Sequence, residues 1–291
     1  MNPDVRDDDP QVRFYDLDYP WPEDPVYAAS KNDPATGGLV GDDIVMLKRM
    51  AELLPGPVLD LCCGTGRLSI PLAREGKAVV GVDLSKGQLK RFEERLSREP
   101  KDVQDRVEIV HHDVCRLDHP VRAGLAFIGF NSLNLIAHAG AQQAALIAAA
   151  RHLDDKGFLL VEMLNPFACT MFGNTTPLPI YTRRDPETGI EFSKVSTSTP
   201  LNPDQVQTLH GVYDVISEDN LLRRYPYEMQ MRHVFPAEAR LMFNIAGLEV
   251  THMWGGFHEE AYTIHSRKLI VVGRKARRQA APKPPKEPSK D

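Results

Sequence analysis

The sequence predicts an α/β protein: a doubly wound, mostly parallel sheet with an antiparallel last strand, and a smaller antiparallel sheet inserted into it. Three observations carry this expectation. Short apolar runs at 58–61, 78–82, 107–110, 125–130 and 158–162 alternate with stretches of helical spacing. Residues 58–66, Val-Leu-Asp-Leu-Cys-Cys-Gly-Thr-Gly, pass from a strand through a small-residue turn towards a helix at Arg67–Ala73. From about 171 to 231 the pattern changes to alternating segments separated by Asp-Pro-Glu-Thr-Gly, Asn-Pro-Asp and Glu-Asp-Asn turns.

The bulk properties narrow the function classes. A chain of 291 residues accommodates one large domain with an insertion. Its net charge of −5 gives no general electrostatic case for nucleic-acid binding. No apolar run approaches membrane-spanning length, and the acidic start Met1–Asp9 is unlike a secretion signal, so a cytoplasmic protein is expected. Cys62, Cys63, Cys115 and Cys169 form no Cys-x-x-Cys pair and no Cys/His ligand spacing. Free thiols in a reducing compartment, and no metal, are the expectation.

Taken in order, residues 1–40 form an aromatic segment containing Phe14, Tyr15, Tyr19, Trp21 and Tyr27. Its rings either pack on the domain or cap a ligand, with Tyr15, Tyr19 or Tyr27 in contact with it. A helix over Asp42–Leu54 places Ile44, Leu47, Met50, Ala51 and Leu54 on one face. In the turn that follows the first strand, Gly64 and Gly66 permit positive φ, and free N–H groups at the helix start offer hydrogen bonds. The triplet Cys62, Gly64, Gly66 departs from the Gly-x-Gly-x-x-Gly of dinucleotide sites. Asp60 just before it would repel a pyrophosphate and suits an ammonium group. Asp83 ends the second strand, where a ribose-binding acid belongs. Two carboxylates and a glycine turn favour an adenosyl ligand without phosphates.

Asp60, Cys62, Gly64, Gly66 and Asp83 resemble the first motifs of the class I S-adenosylmethionine-dependent methyltransferases, with Cys62 in place of the first glycine. The resemblance implies a Rossmann-like fold, the cofactor's methionine part over the turn near Asp60, and its ribose hydroxyls on Asp83. It also implies that Asp113, after the third strand, receives the adenine amino group. Leu84, Val114, Asn131, Tyr15 and Tyr27 complete the expected cofactor contacts. Cysteine is small, so the turn is expected to survive the replacement.

Further on, Ser85 reads as the N-cap of a helix ending before Pro100. His111 and His112 are adjacent on an extended chain and point to opposite faces, which argues against a metal pair. The fourth strand leads into Phe130-Asn131-Ser132-Leu133-Asn134-Leu135-Ile136-Ala137-His138, whose start belongs at the ligand crevice of an open α/β sheet. His138 is the candidate general base because imidazole titrates near neutrality; a helix-surface histidine is the alternative. Tyr19, Ser132, Tyr213, Tyr227, His233 and Trp254 are candidate acceptor contacts, with Glu228 and His258 behind them; rings at such positions are also common in cores. A helix at Phe235–Ala246 stopped by Gly247 and closing strands at 248–254 and 268–273 return the chain to the core. The expected organisation is a cap segment at 1–40, a core at 41–170 and 232–274, an insert at 171–231 that forms a substrate chamber or an oligomer surface, and a disordered basic, Pro-rich tail at 275–291.

From about Leu47 to Gly273 the chain resembles the small-molecule branch of the family. The Phe130-Asn131-Ser132 turn and the insert before Phe235 are loosely similar to amino-sugar N-methyltransferases. The Asn/Asp-Pro-Pro-Tyr/Phe signature of many base and glutamine methyltransferases does not follow strand four, which weakens a nucleic-acid assignment. The resemblance therefore implies methyl transfer from S-adenosylmethionine to N, O or C of a small metabolite by in-line displacement, leaving S-adenosylhomocysteine. A methyltransferase acting on a protein or nucleic acid, and a non-methylating adenosylmethionine-binding protein, are the alternatives. The expected partner is a small methyl acceptor, and a homodimer is the oligomer considered.

Overall fold

The computed structural model describes residues 10–18, 41–169, 171–184, 189–216 and 221–276. Tyr19, Trp21 and Tyr27 of the aromatic segment, and the tail from 277, lie outside the described residues. Two short helical turns, α1 (Pro10–Arg13) and α2 (Tyr15–Asp18), precede α3 (Asp42–Leu53). The core then runs β1 (Val58–Leu61), α4 (Ser69–Arg74), β2 (Val79–Asp83), α5 (Lys86–Leu96), α6 (Lys101–Gln104) and β3 (Val107–His111). It continues through β4 (Ala123–Ile128), α7 (Ser132–Leu135), α8 (Ala139–Arg151) and β5 (Leu153–Leu164). Strands β6 (Asn174–Arg184), β7 (Glu191–Ser198), β8 (Val206–Ile216) and β9 (Leu222–Arg232) follow. The chain closes with α9 (Pro236–Ile245), β10 (Leu248–Trp254) and β11 (Lys268–Lys275).

The main sheet has seven strands in the order β10-β11-β5-β4-β1-β2-β3, and the second has four in the order β6-β7-β8-β9. β1 pairs in parallel with β2 and β4, while β11 lies antiparallel between β5 and β10. The antiparallel last strand is as expected, and it sits one place in from the edge. Because β2 and β3 extend to one side of β1 and β4 begins the other, strand order reverses between β1 and β4. That reversal opens a crevice at their carboxyl ends.

Why the sheet is buried on both faces follows from the strand sequences. All of β1, β2 and β4 is buried, as parallel strands covered by helices require. Successive residues serve opposite faces: Leu125 and Phe127 pack with Ile44, Leu47 and Leu72, whereas Ala126 and Ile128 pack with Leu146, Ala149 and Phe243. The fully buried Ala145, Ala148 and Ala149 let α8 lie close on the sheet. Ser85 caps α5 by accepting the Gln88 N–H at 3.3 Å, as its sequence position suggested.

Several boundaries moved, among them the end of β4 and the start of β5. β4 ends at Ile128, so Phe130 belongs to the turn, and β5 starts at Leu153, five residues ahead of the apolar run at Phe158. The early part of β5 is carried by Leu153 pairing with Ala123, while Asp154–Lys156 stay exposed and left no apolar signal. The second sheet has its own core of Phe192, Tyr213, Val215 and Tyr227, closed by Phe14 between the two N-terminal turns.

Candidate active site

The glycine turn is built from backbone conformations that its residues fit unequally. Cys62, Gly64 and Gly66 all have positive φ, at 66°, 56° and 81°. Cys62 thus adopts the left-handed conformation that a glycine would take more cheaply. Gly66 answers a packing need as well: a Cβ there would lie 2.3 Å from the Phe92 ring on α5. Asp83 holds the turn, its Oδ2 accepting the Gly64 N–H at 2.9 Å and its Oδ1 the Ser85 N–H at 2.8 Å. Each oxygen retains acceptor capacity, so a ribose hydroxyl can still be received.

Asp60 is 1% exposed and accepts a 2.6 Å bond from the Ser69 hydroxyl. Burial pushes its carboxyl up to about 7; the Ser69 bond opposes this, the Asp83 charge adds to it, and Arg67 opposes it again. Burial also raises Asp83 above the usual carboxylate range, against the N–H bonds from Ser85 and Gly64. Two buried acids with little compensating charge make the turn a seat for a cation.

Beside the turn lies a cavity of about 360 Å³. Cys62, Leu84, Asp113, Val114 and Ser132, all named from the sequence, line it together with Ile136. Its volume is in the range of ligand pockets, which are mostly apolar with a few polar groups. Leu84, Val114 and Ile136 supply walls for a flat ring, and Asp113 supplies an acceptor for an amino edge. One oxygen of Asp113 already accepts the Cys115 N–H at 2.9 Å. Burial raises the thiols of Cys62 and Cys115, the latter to about 11, so both line the site protonated. The residues fit an adenosyl group. A larger depression of about 640 Å³ lies on the inserted sheet against Ser196, His210, Val212, Arg224 and Glu228, with none of the crevice residues in its lining.

After β4 the chain turns through two consecutive left-handed residues, Phe130 (φ 53°) and Asn131 (φ 60°). Phe130 N–H donates to Glu162 Oε2 at 2.7 Å, and Lys268 Nζ donates to Asn131 Oδ1 at 3.1 Å and Glu162 Oε1 at 2.6 Å. The Phe130 ring faces the Arg67 guanidinium at 4.7 Å. Arg67 is buried in an ion pair with Asp43. Asn134 then ties α7 to its neighbours, donating to the Arg232 carbonyl at 2.8 Å and accepting the Leu164 N–H at 3.1 Å.

The N-terminal turns bridge the two sheets. The Tyr15 hydroxyl lies over Gly64, 3.5 Å from where a Cβ would be. Asp16 accepts a bond from Thr65 Oγ1 at 3.0 Å and pairs with Arg91 and Arg95. Asp18 reaches the other way, accepting from Tyr213 OH at 2.5 Å and from Lys194 Nζ at 2.6 Å, while its carbonyl accepts from Arg183 at 2.6 Å.

Several residues named from the sequence are placed elsewhere. His138 is exposed at the start of α8 with its ring against Gly140; it is absent from the cavity lining although Ile136 and Ala141 on either side of it are part of that lining. Tyr213 is buried in the aromatic core of the second sheet, where Phe14 stacks on it, whereas Tyr227 packs against Tyr213 in that core and also lines the larger depression on the inserted sheet. Trp254 lies on edge strand β10, stacked on His252 at 5.0 Å. Glu228 pairs with His210, and His258 lies 3.6 Å from Asp42. His233 is 1% exposed, neither ring nitrogen has a hydrogen-bond partner, and burial lowers its pKa. Sequence reasoning missed Asp16, Asp18, Arg67, Asn134, Glu162 and Lys268. Only Glu162, a charge closing the run Phe-Leu-Leu-Val, carried a signal, since such residues are seldom buried unless paired. Among the described residues no group of three or more His, Cys, Asp or Glu is placed to hold a metal, and no helix is long and apolar enough to cross a membrane.

Comparison with known proteins agrees with this geometry. Residues 58–157 match the methyltransferase domain family. The cypemycin N-terminal methyltransferase of Streptomyces sp is 30% identical over 216 residues, 74% of this chain and 81% of that protein. The CcbJ methyltransferase from Streptomyces caelestis aligns with a TM-score of 0.72 at 25% identity, covering 95% of this chain and 100% of that one. CalS10, an amino pentose methyltransferase from Micromonospora echinaspora solved with S-adenosylmethionine bound, shares the fold with a TM-score of 0.64 at 21% identity, over 86% of this chain and 97% of its own. Similarity to a methyltransferase along most of the chain, together with a crevice suited to an adenosyl group beside buried acids, places the protein in the S-adenosylmethionine-dependent methyltransferases, enzymes that use that donor.

Proposed function

We propose that the enzyme methylates an amine nitrogen of a small acceptor presented at the carboxyl ends of β4 and β5. The cavity lined by Cys62, Leu84, Asp113 and Val114 carries this reading, because it seats the adenosyl end and orients the reacting end towards the Phe130–Asn131 turn. When bound, S-adenosylmethionine supplies a methyl group on a sulfonium, which an acceptor displaces in line to leave S-adenosylhomocysteine. Asp60 and Asp83 favour the cofactor's positive charge, Asp113 receives the adenine edge, and Tyr15 over Gly64 excludes water. Leu84 and Val114 line the approach, and Asn131 flanks it next to Ser132. A neutral amine brings its own lone pair and sheds its proton after transfer, so alignment matters more than a base. His138 is exposed and is not among the cavity's lining residues, and the proposed chemistry does not call on it. The relative at 30% identity is a cypemycin N-terminal methyltransferase, and because the nucleophile a free N-terminus offers is an amine, this favours nitrogen over oxygen or carbon. The inserted sheet forms the acceptor side, fastened to α7 through the Asn134 bond to Arg232, and Ser132 at the start of α7 is the acceptor contact.

The test has two steps. Calorimetric titration is expected to show binding of S-adenosylmethionine and S-adenosylhomocysteine but not NAD. Mass spectrometry of reactions with small amines, matched alcohols and carboxylic acids is then expected to find methyl uptake on the amines alone. Methylation of the alcohols or acids in preference would overturn the nitrogen assignment.

A further inference from the structure

A phenylalanine and an asparagine in succession at φ 53° and 60° is a sterically costly conformation, because the left-handed region crowds Cβ against the backbone. A turn of this kind persists only where its surroundings over-determine it. Here the surroundings are an ion pair between Glu162 on β5 and Lys268 at the start of β11, with side chains 2% and 9% exposed. Such a pair is seldom more stabilising than apolar residues of the same size, since both charges lose their hydration. Its bonds indicate another role. Each partner makes one bond to the other and one to the turn: Glu162 accepts the Phe130 N–H, and Lys268 donates to the Asn131 side chain.

The turn in its held form does two things at the crevice. It lays the Phe130 ring against Arg67, the residue that follows Gly66, so that the wall after β4 is registered against the glycine turn after β1. It also delivers Ser132, the next residue, into the cavity lining. Neither Glu162 nor Lys268 lines the cavity.

We propose that Glu162 and Lys268 are positioning residues, which hold the Phe130–Asn131 turn in its left-handed form and thereby set the width of the cofactor crevice between β1 and β4. The effect is on cofactor binding, so it is independent of which acceptor atom is methylated.

The test measures S-adenosylhomocysteine affinity by calorimetry alongside melting temperature. Glu162→Gln leaves a buried cation without its counter-charge and is expected to lower both. The paired change Glu162→Met with Lys268→Met removes both charges and both bonds to the turn. Its melting temperature is expected to recover most of the loss, while its affinity stays about tenfold weaker than wild type, the order seen when a supporting contact is removed. Recovery of affinity together with stability would make the pair merely structural and overturn the proposal. Wild-type affinity in the folded Glu162→Gln protein would do the same. If the double methionine protein does not fold, Glu162→Gln with Lys268→Met keeps an acceptor for the Phe130 N–H without a buried charge. It removes the Lys268 bond to Asn131 and is expected to bind S-adenosylhomocysteine more weakly than wild type, and unchanged affinity there sinks the idea.

Discussion

At the scale of the residue, Asp60 shows how a buried acid is both a cost and a tool. Its carboxyl titrates near 7 in the folded protein against an ordinary value of 3.8, chiefly because burial disfavours the charge. Between about pH 4 and 7 the native state therefore keeps a proton that the unfolded state has lost, and stability falls as pH rises through this window. Asp60→Asn removes that slope while an amide oxygen can still accept from Ser69. The variant is expected to melt higher than wild type at pH 8, with little difference at pH 4, and to bind S-adenosylmethionine more weakly. A melting difference that does not change with pH would show that Asp60 does not titrate in this range. The residue's role at the turn was legible because an acid, small residues and a second acid stand at fixed spacing. Its Ser69 partner was not legible, because only the start of α4 decides which hydroxyl faces back.

At the scale of the element, α2 works as a clasp although it spans only four residues. Asp16 grips the core through Thr65, Arg91 and Arg95, and Asp18 grips the inserted sheet through Lys194, Tyr213 and Arg183. The two grips differ in strength. The Asp16 pairs are partly exposed and screened, whereas Asp18 and Lys194 are nearly buried. Asp18→Ala removes the carboxylate from a buried ammonium ringed by Tyr213 and Tyr227, and is expected to cost about 3 kcal/mol in chemical denaturation. Asp16→Ala is expected to cost about 1 kcal/mol or less. Equal costs would show that the clasp does not depend on burial. The aromatic richness of this segment was readable as evidence for packing, and Phe14 does pack, with its ring centroid 4.6 Å from that of Tyr213. That two acids two positions apart serve opposite sheets was not readable, since no local pattern distinguishes their targets.

At the scale of the whole molecule, the reversal of strand order at β1 and β4 concentrates the crevice, the glycine turn and the N-terminal clasp in one place. Binding of S-adenosylhomocysteine is accordingly expected to slow amide hydrogen exchange together at 62–66, 113–116 and 130–135, with 206–216 on the inserted sheet unchanged. Protection confined to the inserted sheet would put the cofactor in the depression on that sheet instead. Such a result would displace the site proposed at the crevice. By itself the sequence determined the run of strands and helices and the turn at Cys62–Gly66, because side-chain periodicity and turn chemistry act between near neighbours; the wall residues Leu84, Asp113 and Val114 came from the resemblance of its motifs to a known family. Only the tertiary structure decided that the His138 ring lies against Gly140, that Tyr213 stacks on Phe14, and that Glu162 meets Lys268 and Asp18 meets Lys194. The last three pairings join residues far apart in the chain, and a charge chooses its partner by where burial strips its water away.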